Sequence, residues 1–187
     1  MTDAQTLSAL TTARLRLRAF EPRDAGRIAY LAGDYDVAKM CARIPSPYPT
    51  LAAEGWLELQ AAALRKGEEY AFAITRPRDG LIGSCGVVRV AGEPHAFRLG
   101  YWLGRPYWGE GFATEAARAL IGWARETLGA RRISASHFED NPASGAVLRK
   151  LGFVKAGPDE LFSLARGGTA PGDRYEWRAE ADSLPVQ

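Results

Sequence analysis

Apolar and polar positions follow two rhythms along the chain, and the change from one to the other predicts the elements. Arg14-Leu15-Arg16-Leu17-Arg18-Ala19-Phe20 alternates strictly, which predicts a strand with one buried face and its three arginines on the solvated side. Glu21-Pro22-Arg23-Asp24 then opens a short helix through Ile28, Tyr30 and Leu31, with Pro22 suited to the first turn. The prolines of Ile44-Pro45-Ser46-Pro47-Tyr48-Pro49 remove donors and fix φ, so this stretch is a stiff loop. Thr50 is expected to cap a second helix, whose apolar positions are Leu51, Ala52, Trp56, Leu59, Ala63 and Leu64. The two helices and their stiff loop are suited to overhang a cleft.

Period two returns at Tyr70–Thr75, Leu81–Val90 and Phe97–Leu103, with short turns between, which predicts an antiparallel meander. Gly83 and Gly86 are bulge candidates. The rhythm then lengthens. Ala113, Ala116, Ala117, Leu120, Ile121, Ala124 and Leu128 recur at helical spacing and give one apolar face. Ile133–His137 reads as a strand. Asn141-Pro142 starts a short helix, Asn at the cap and Pro at the first position, and Gly152 ends it with Phe153 placed for the accompanying apolar contact. Phe153–Ala156 and Tyr175–Ala179 are the last strands, and 161–172 is a glycine-bearing loop. The order β-α-α-β-β-β-α-β-α-β-β predicts an α+β fold in one domain, with residues 1–11 and 180–187 as loose termini.

Composition narrows this picture modestly. A chain of 187 residues, 47% hydrophobic and 25% charged, fits one soluble domain with a sizeable core. A net charge of +2 is too balanced to argue for nucleic acid. Cys41 and Cys85 form no CxxC pair, and His95 and His137 lie far apart, so no metal is expected; Cys85 sits in an apolar run and reads as core. No stretch approaches ~20 apolar residues, so no membrane span is expected. Met1–Gln5 lacks the regions of a signal peptide, and the expected setting is cytoplasmic.

The chemistry concentrates in the strand–turn–helix from Arg98 to Leu128. Trp108-Gly109-Glu110-Gly111-Phe112-Ala113 is a glycine turn that opens a helix. Such a turn leaves backbone N–H groups unpaired at the positive end of the helix dipole, which is an anion site and typically a phosphate site. On this motif alone, a plain strand-to-helix corner stands equally open.

Two spaced motifs carry a resemblance. Gly100-Tyr-Trp-Leu-Gly-Arg-Pro-Tyr-Trp-Gly-Glu-Gly-Phe-Ala-Thr-Glu-Ala116, followed by Asp140-Asn-Pro-Ala-Ser-x-x-x-Leu-x-Lys-Leu-Gly-Phe153, resembles the GNAT acetyltransferase superfamily. The likeness is greatest to its RimJ/RimL-type branch, whose named members acetylate ribosomal-protein N-termini. Thr12–Arg18 and Asp24-Ala25 resemble the start of that branch. The resemblance implies a GNAT-like (acyl-CoA N-acyltransferase) fold: a mixed, mostly antiparallel central sheet of about six or seven strands flanked by about four helices. It also implies an acetyl-CoA-dependent N-acetyltransferase, in which a primary amine attacks the thioester directly. The acceptor would be a small-molecule amine or a protein N-terminus, with no nucleic acid or membrane partner, in a monomer or homodimer. A non-catalytic acetyl-CoA-binding protein is the alternative. A nucleotide-binding domain is disfavoured by the absence of Gly-Lys-Ser/Thr after the glycines.

The resemblance also implies site residues. The family's pyrophosphate loop, Arg/Gln-x-x-Gly-x-Gly/Ala, falls on Trp108, Gly109, Glu110, Gly111, Phe112 and Ala113. Trp108 departs from the polar first position, so no side-chain donor is expected there. The backbone N–H groups of Gly109, Gly111, Ala113 and Thr114 would hold phosphate. The preceding strand, at Trp102, Leu103 and Gly104, would pair with the pantetheine arm and polarise the thioester carbonyl. Asn141 matches a residue that contacts the arm, and a plain helix cap is its other reading. Ser144 matches a serine that protonates the departing thiolate, or is a solvated first-turn serine. Arg105, Arg149 and Lys150 are candidates for the coenzyme phosphates. Arg98 stands where an acidic base on the strand would be natural. That leaves His137 and Glu139 as base candidates, with Glu93 and His95 more remote; a structural histidine is the other reading of His137. Holding amine and thioester together is a further source of rate.

Overall fold

The computed structural model describes residues 7–179, which form one eight-stranded sheet in the order β1-β2-β3-β4-β5-β6-β8-β7. The strands are β1 (Leu10–Thr11), β2 (Arg16–Arg18), β3 (Glu69–Arg76), β4 (Gly80–Arg89), β5 (Ala96–Leu103), β6 (Arg132–Phe138), β7 (Val154–Ser163) and β8 (Gly168–Arg178). Every neighbouring pair is antiparallel except β5 and β6. The helices are α1 (Ala25–Ala32), the single turn α2 (Tyr35–Ala38), α3 (Thr50–Lys66), α4 (Phe112–Leu128) and α5 (Pro142–Lys150).

Helices cover both faces. Leu17, Phe72, Ile74, Val87, Phe97 and Ile133 pack against Ala116, Leu120 and Ala124 of α4 and Leu148 of α5. On the opposite face, Ala73 and Leu81 meet Ile28, Leu31 and Ala53 of α1 and α3. Every apolar position predicted for α4 except Ala113 and Leu128 is buried, and Gly129, at φ 64°, ends the helix. The close of α5 is a Schellman turn. Gly152, at φ 85°, donates to the Arg149 carbonyl (3.0 Å) and Phe153 to that of Leu148 (3.1 Å), with Phe153 buried.

The meander β3-β4-β5 forms as the alternation predicts. Its bulge leaves Ile82 as the extra residue, because Ile74 pairs with Gly83 and Thr75 with Leu81. Gly83 and Gly86 serve close strand approach: a Cβ would stand 2.2 Å from the Trp102 carbonyl oxygen or 2.9 Å from that of Tyr70. Before α1, Asp24 is buried and accepts two bonds from Arg18 (2.7 and 2.8 Å) and one from the Glu21 N–H (2.9 Å). Burial raises the Asp24 carboxyl, but these donors outweigh it and hold it below the ordinary carboxylate range. A group shifted this way lends stability above its unfolded pKa of about 3.9 and loses it as pH falls through the lower folded value. Asp24→Asn is expected to cost about 2 kcal/mol at neutral pH. The difference from wild type should shrink below about pH 4. Denaturant melts across pH check this, and equal midpoints at neutral pH would contradict it.

The expected mixed, mostly antiparallel sheet is present, with eight strands against about six or seven and five α-helices among the described residues against about four. Three expectations are corrected. Part of the supposed loose start is ordered, since Leu7 is buried and Leu10–Thr11 pairs with β2; residues 1–6 and 180–187 lie outside the described residues. Thr50 is the first helical residue of α3, and the cap position is Pro49. The stretch 161–172 is the turn of the β7–β8 hairpin, continuing both strands. Its first strand escapes a period-two reading because β7 is the sheet edge and largely solvated. An edge tolerates Pro158, and the register shift between Lys155 and Gly157 breaks the alternation.

Candidate active site

The parallel pair β5/β6 is short. Its register runs Ala96↔Arg132, Phe97↔Ile133 and Arg98↔Ser134 and then stops, while β5 continues to Leu103 and β6 to Phe138. The strands splay there and leave a gap in the sheet. Strand geometry decides which backbone groups face it, because N–H and C=O groups of alternate residues point to opposite neighbours. The Gly104 N–H donates to Ile82 in β4 (2.9 Å), and the Ala96 carbonyl accepts from Val90. Even-numbered positions of β5 thus face β4, and Leu99, Tyr101 and Leu103 face the gap. This corrects the strand residues expected to line it. Of Trp102, Leu103 and Gly104, only Leu103 turns its backbone to the gap. The Trp102 ring packs on the α1/α3 side, and Gly104 is a seat for α1, where a Cβ would stand 2.7 Å from Leu31.

Directly after β5 the chain turns through the glycine loop into α4. Gly109 (φ 80°) and Gly111 (φ 79°) are both left-handed, which only glycine adopts without strain. Gly111 occupies the cap position of α4, and no side chain caps the helix, so its first N–H groups point outward unpaired. Trp108 keeps its donor but spends it within the corner: its indole N–H donates to the Leu103 carbonyl (2.8 Å). Beside the loop lies a groove of about 530 Å³, lined by Thr12, Gly111, Thr114, Glu115, Arg118, Ala119 and Lys150. Arg118 sits one turn after Thr114 and donates to the Lys150 carbonyl (3.2 Å), which joins α4 to α5. Its four-residue spacing from Thr114 was the signal the motif reading passed over.

Across the gap stands the first turn of α5. Asn141 accepts the Ser144 N–H on Oδ1 (3.2 Å), so the helix cap is real. The Tyr101 side chain reaches this turn from β5. Its hydroxyl lies 2.8 Å from Ser144 Oγ and 3.2 Å from the Ser144 carbonyl, and its single proton can serve either oxygen. Burial pushes the Tyr101 phenol up to about 12, with the Ser144 bond pulling the other way, so it stays a protonated donor near neutral pH. Tyr101 was absent from the sequence candidates, although its parity with Leu99 and Leu103 set it apart.

The base candidates fare differently. His137 is buried on the same face as Ile133 and Ala135. Its Nδ1 bonds the Phe138 carbonyl (2.8 Å), so that nitrogen carries the proton. Nε2 is buried without a partner against α5, where a Cβ on Gly145 would stand 2.6 Å away. This is the packed histidine of the second reading. Glu139 is exposed beyond the end of β6, its N–H bonded to Pro171. His95 and Glu93 lie before β5, at the end opposite the gap; His95 bonds the Gly129 carbonyl (2.9 Å) and Glu93 pairs with Arg132. Of the phosphate candidates, Lys150 lines the groove, but Arg149 bonds the Tyr175 hydroxyl (3.3 Å) and Arg105 pairs with Asp36 (3.1 Å). Arg105 borders a second groove of about 450 Å³ with Tyr30, Leu31, Asp34 and Pro106.

A splayed parallel pair followed by a glycine loop and helix defines a class of acyl-transfer folds, and comparison with known proteins agrees. The profile of the acetyltransferase (GNAT) domain matches residues 14–154. An uncharacterized N-acetyltransferase, p20 of Bacillus licheniformis, is 32% identical over 162 residues, covering 86% of this chain and 90% of its own. The ribosomal protein uS5-alanine N-acetyltransferase of Escherichia coli is 33% identical over 169 residues, 84% of each chain. The structure of Mycobacterium smegmatis RimJ in complex with CoA-disulfide superposes with a TM-score of 0.78 at 20% identity, over 92% of this chain and 84% of that one. The chain belongs to the GNAT acetyltransferase family, on its RimJ/RimL-like side. It is an N-acetyltransferase of a family that takes its acetyl group from acetyl-CoA. No helix among the described residues is long and apolar enough to cross a membrane.

Proposed function

We propose that acetyl-CoA lies along the open edge of β5, with its diphosphate on the glycine loop, and that the acceptor is the α-amine of a protein N-terminus. The observation that carries the first part is the juxtaposition of an unpaired strand edge with an uncapped, glycine-led helix start. The coenzyme fits these groups: backbone donors and acceptors meet an amide-bearing arm, and helix N–H groups with Arg118 and Lys150 meet phosphates. When bound it supplies an activated acetyl thioester.

The protein's own part follows from the geometry. The N–H groups of Tyr101 and Leu103 face the gap and polarise the thioester carbonyl there. Asn141 fixes the α5 turn with Oδ1 and offers Nδ2 to the arm. Ser144 Oγ, accepting the Tyr101 O–H, gives its own proton to the sulfur as the C–S bond breaks and regains one from the water that takes up the amine's proton. Among the described residues, neither Arg98 on the strand nor His137, whose Nε2 is closed off by α5, serves as a strong base. The amine loses its proton to water, and the gain in rate comes from holding amine and thioester together.

The uS5-alanine enzyme, similar along most of both chains, supports a protein N-terminus as acceptor. The test incubates the protein with acetyl-CoA and follows free thiol. Peptides with free Ala or Ser N-termini are to be compared with their N-blocked forms and with polyamines, lysine and aminoglycosides. Thiol release and acetyl incorporation are expected with the free peptides alone. Turnover confined to the small amines would move the acceptor to that class.

A further inference from the structure

The loop that receives the diphosphate lacks a side-chain anchor of its own, since the Trp108 donor is spent on Leu103. An anchor arrives from the other end of the chain. Arg14, just before β2, donates from Nη1 to the carbonyl of Glu110, between the two left-handed glycines (3.0 Å). Its guanidinium lies 4.5 Å from the ring centre of Phe112, the first residue of α4. Nη2 makes no hydrogen bond among the described residues and stands beside Gly111, 3.6 Å from where a Cβ would project.

The same arginine deals with a charge that opposes anion binding. Glu115 is in the first turn of α4 and lines the groove. A bare carboxylate there would cancel the field of the helix start. Both its oxygens are occupied: Oε2 by Arg14 Nε (2.7 Å), Oε1 by the Arg14 N–H (2.9 Å) and the Thr12 hydroxyl (2.6 Å). The guanidinium reaches Glu115 and the Glu110 carbonyl from two nitrogens held in one plane, whereas a lysine would have to serve both from one nitrogen.

We propose that Arg14 is the positioning residue of the coenzyme loop: it fixes the loop through the Glu110 carbonyl and neutralises Glu115, so that the start of α4 accepts phosphate. This rests on the reading of the glycine loop as the diphosphate site. It predicts a penalty tied to the phosphates of the donor rather than to its thioester. The test compares kcat/KM for acetyl-CoA with that for S-acetyl-N-acetylcysteamine, which has no phosphate.

Wild type is expected to favour acetyl-CoA strongly. Arg14→Ala is expected to lower kcat/KM for acetyl-CoA about tenfold, mainly through KM, and to leave the truncated donor within about twofold. Arg14→Lys should recover no more than about twofold of the loss. The melting midpoint without coenzyme should stay near wild type, because the Arg14 side chain is 47% exposed. Equal losses with both donors, with or without a lowered midpoint, would reduce Arg14 to a fold contact and overturn the proposal. Full recovery by lysine would overturn it too, leaving charge alone as the cause. Should wild type itself show no preference for acetyl-CoA, the loop reading fails and takes the proposal with it.

Discussion

Gly111→Trp is expected to reduce acetyl-CoA affinity by about 10³-fold while the protein stays folded. The backbone at Gly111 is left-handed, so any side chain there costs on the order of 1–2 kcal/mol. The space is nonetheless open, since only Arg14 lies near a Cβ, at 3.6 Å. An indole would fill the groove beside Thr114 and Arg118 and cover the unpaired N–H groups of α4. Losing two charge-assisted bonds to phosphate, at roughly 2 kcal/mol each, gives the stated loss. Gly111→Ala separates strain from obstruction: it carries the same backbone cost with little bulk and should bind within about tenfold of wild type. Titration calorimetry with acetyl-CoA, beside a thermal melt of each variant, is the measurement. Wild-type affinity in a folded Gly111→Trp protein would remove the loop from the coenzyme site.

How much of this site the chain discloses by itself depends on distance along it. The glycine loop, the Asn141-Pro142 start and the Gly152-Phe153 stop are local devices, each complete within six residues or so, and all three stand where the residues put them. The strand edge is different. Whether Trp102 or Leu103 faces the gap turns on which side β4 lies, and residues alone do not say. The bonds of Gly104 to Ile82 and of Ala96 to Val90 decide it. Long-range contacts are equally silent: Tyr101 meets Ser144, and Arg14 meets Glu110 and Glu115, only after folding. Here the arginines expected on one solvated strand face prove divided in role, since Arg18 in β2 holds Asp24 and Arg14, just before it, the loop. For His137 the residues left two readings open, a base and a structural histidine, and the packing favours the second. The parity of His137 with Ile133 and Ala135 already placed it on the buried face, where a ring nitrogen lacks access to an incoming amine. The β7–β8 hairpin was legible only at its base, Phe153–Ala156 and Tyr175–Ala179, because the edge strand β7 need not alternate when neither face is well buried.

Ser144→Ala is expected to lower kcat about 10²-fold and to leave KM for acetyl-CoA within about threefold, as befits loss of a proton donor used only as the thioester breaks. Tyr101→Phe sharpens the assignment. The phenol holds Ser144 Oγ at 2.8 Å, and its own titration near 12 keeps it protonated through the working range. Removing it should cost about tenfold in kcat by freeing the serine rotamer, without a new limb in the pH–rate profile near neutrality. The double variant should be no slower than Ser144→Ala alone, because a hydroxyl that acts only through Ser144 has nothing left to orient once Ser144 is gone. Single-turnover kinetics isolate the chemical step from product release. If the two losses multiply, Tyr101 acts on the reaction independently of Ser144. If Ser144→Ala turns over like wild type at every pH, the serine is a helix residue and no more, and the leaving sulfur takes its proton from water in the gap between β5 and β6.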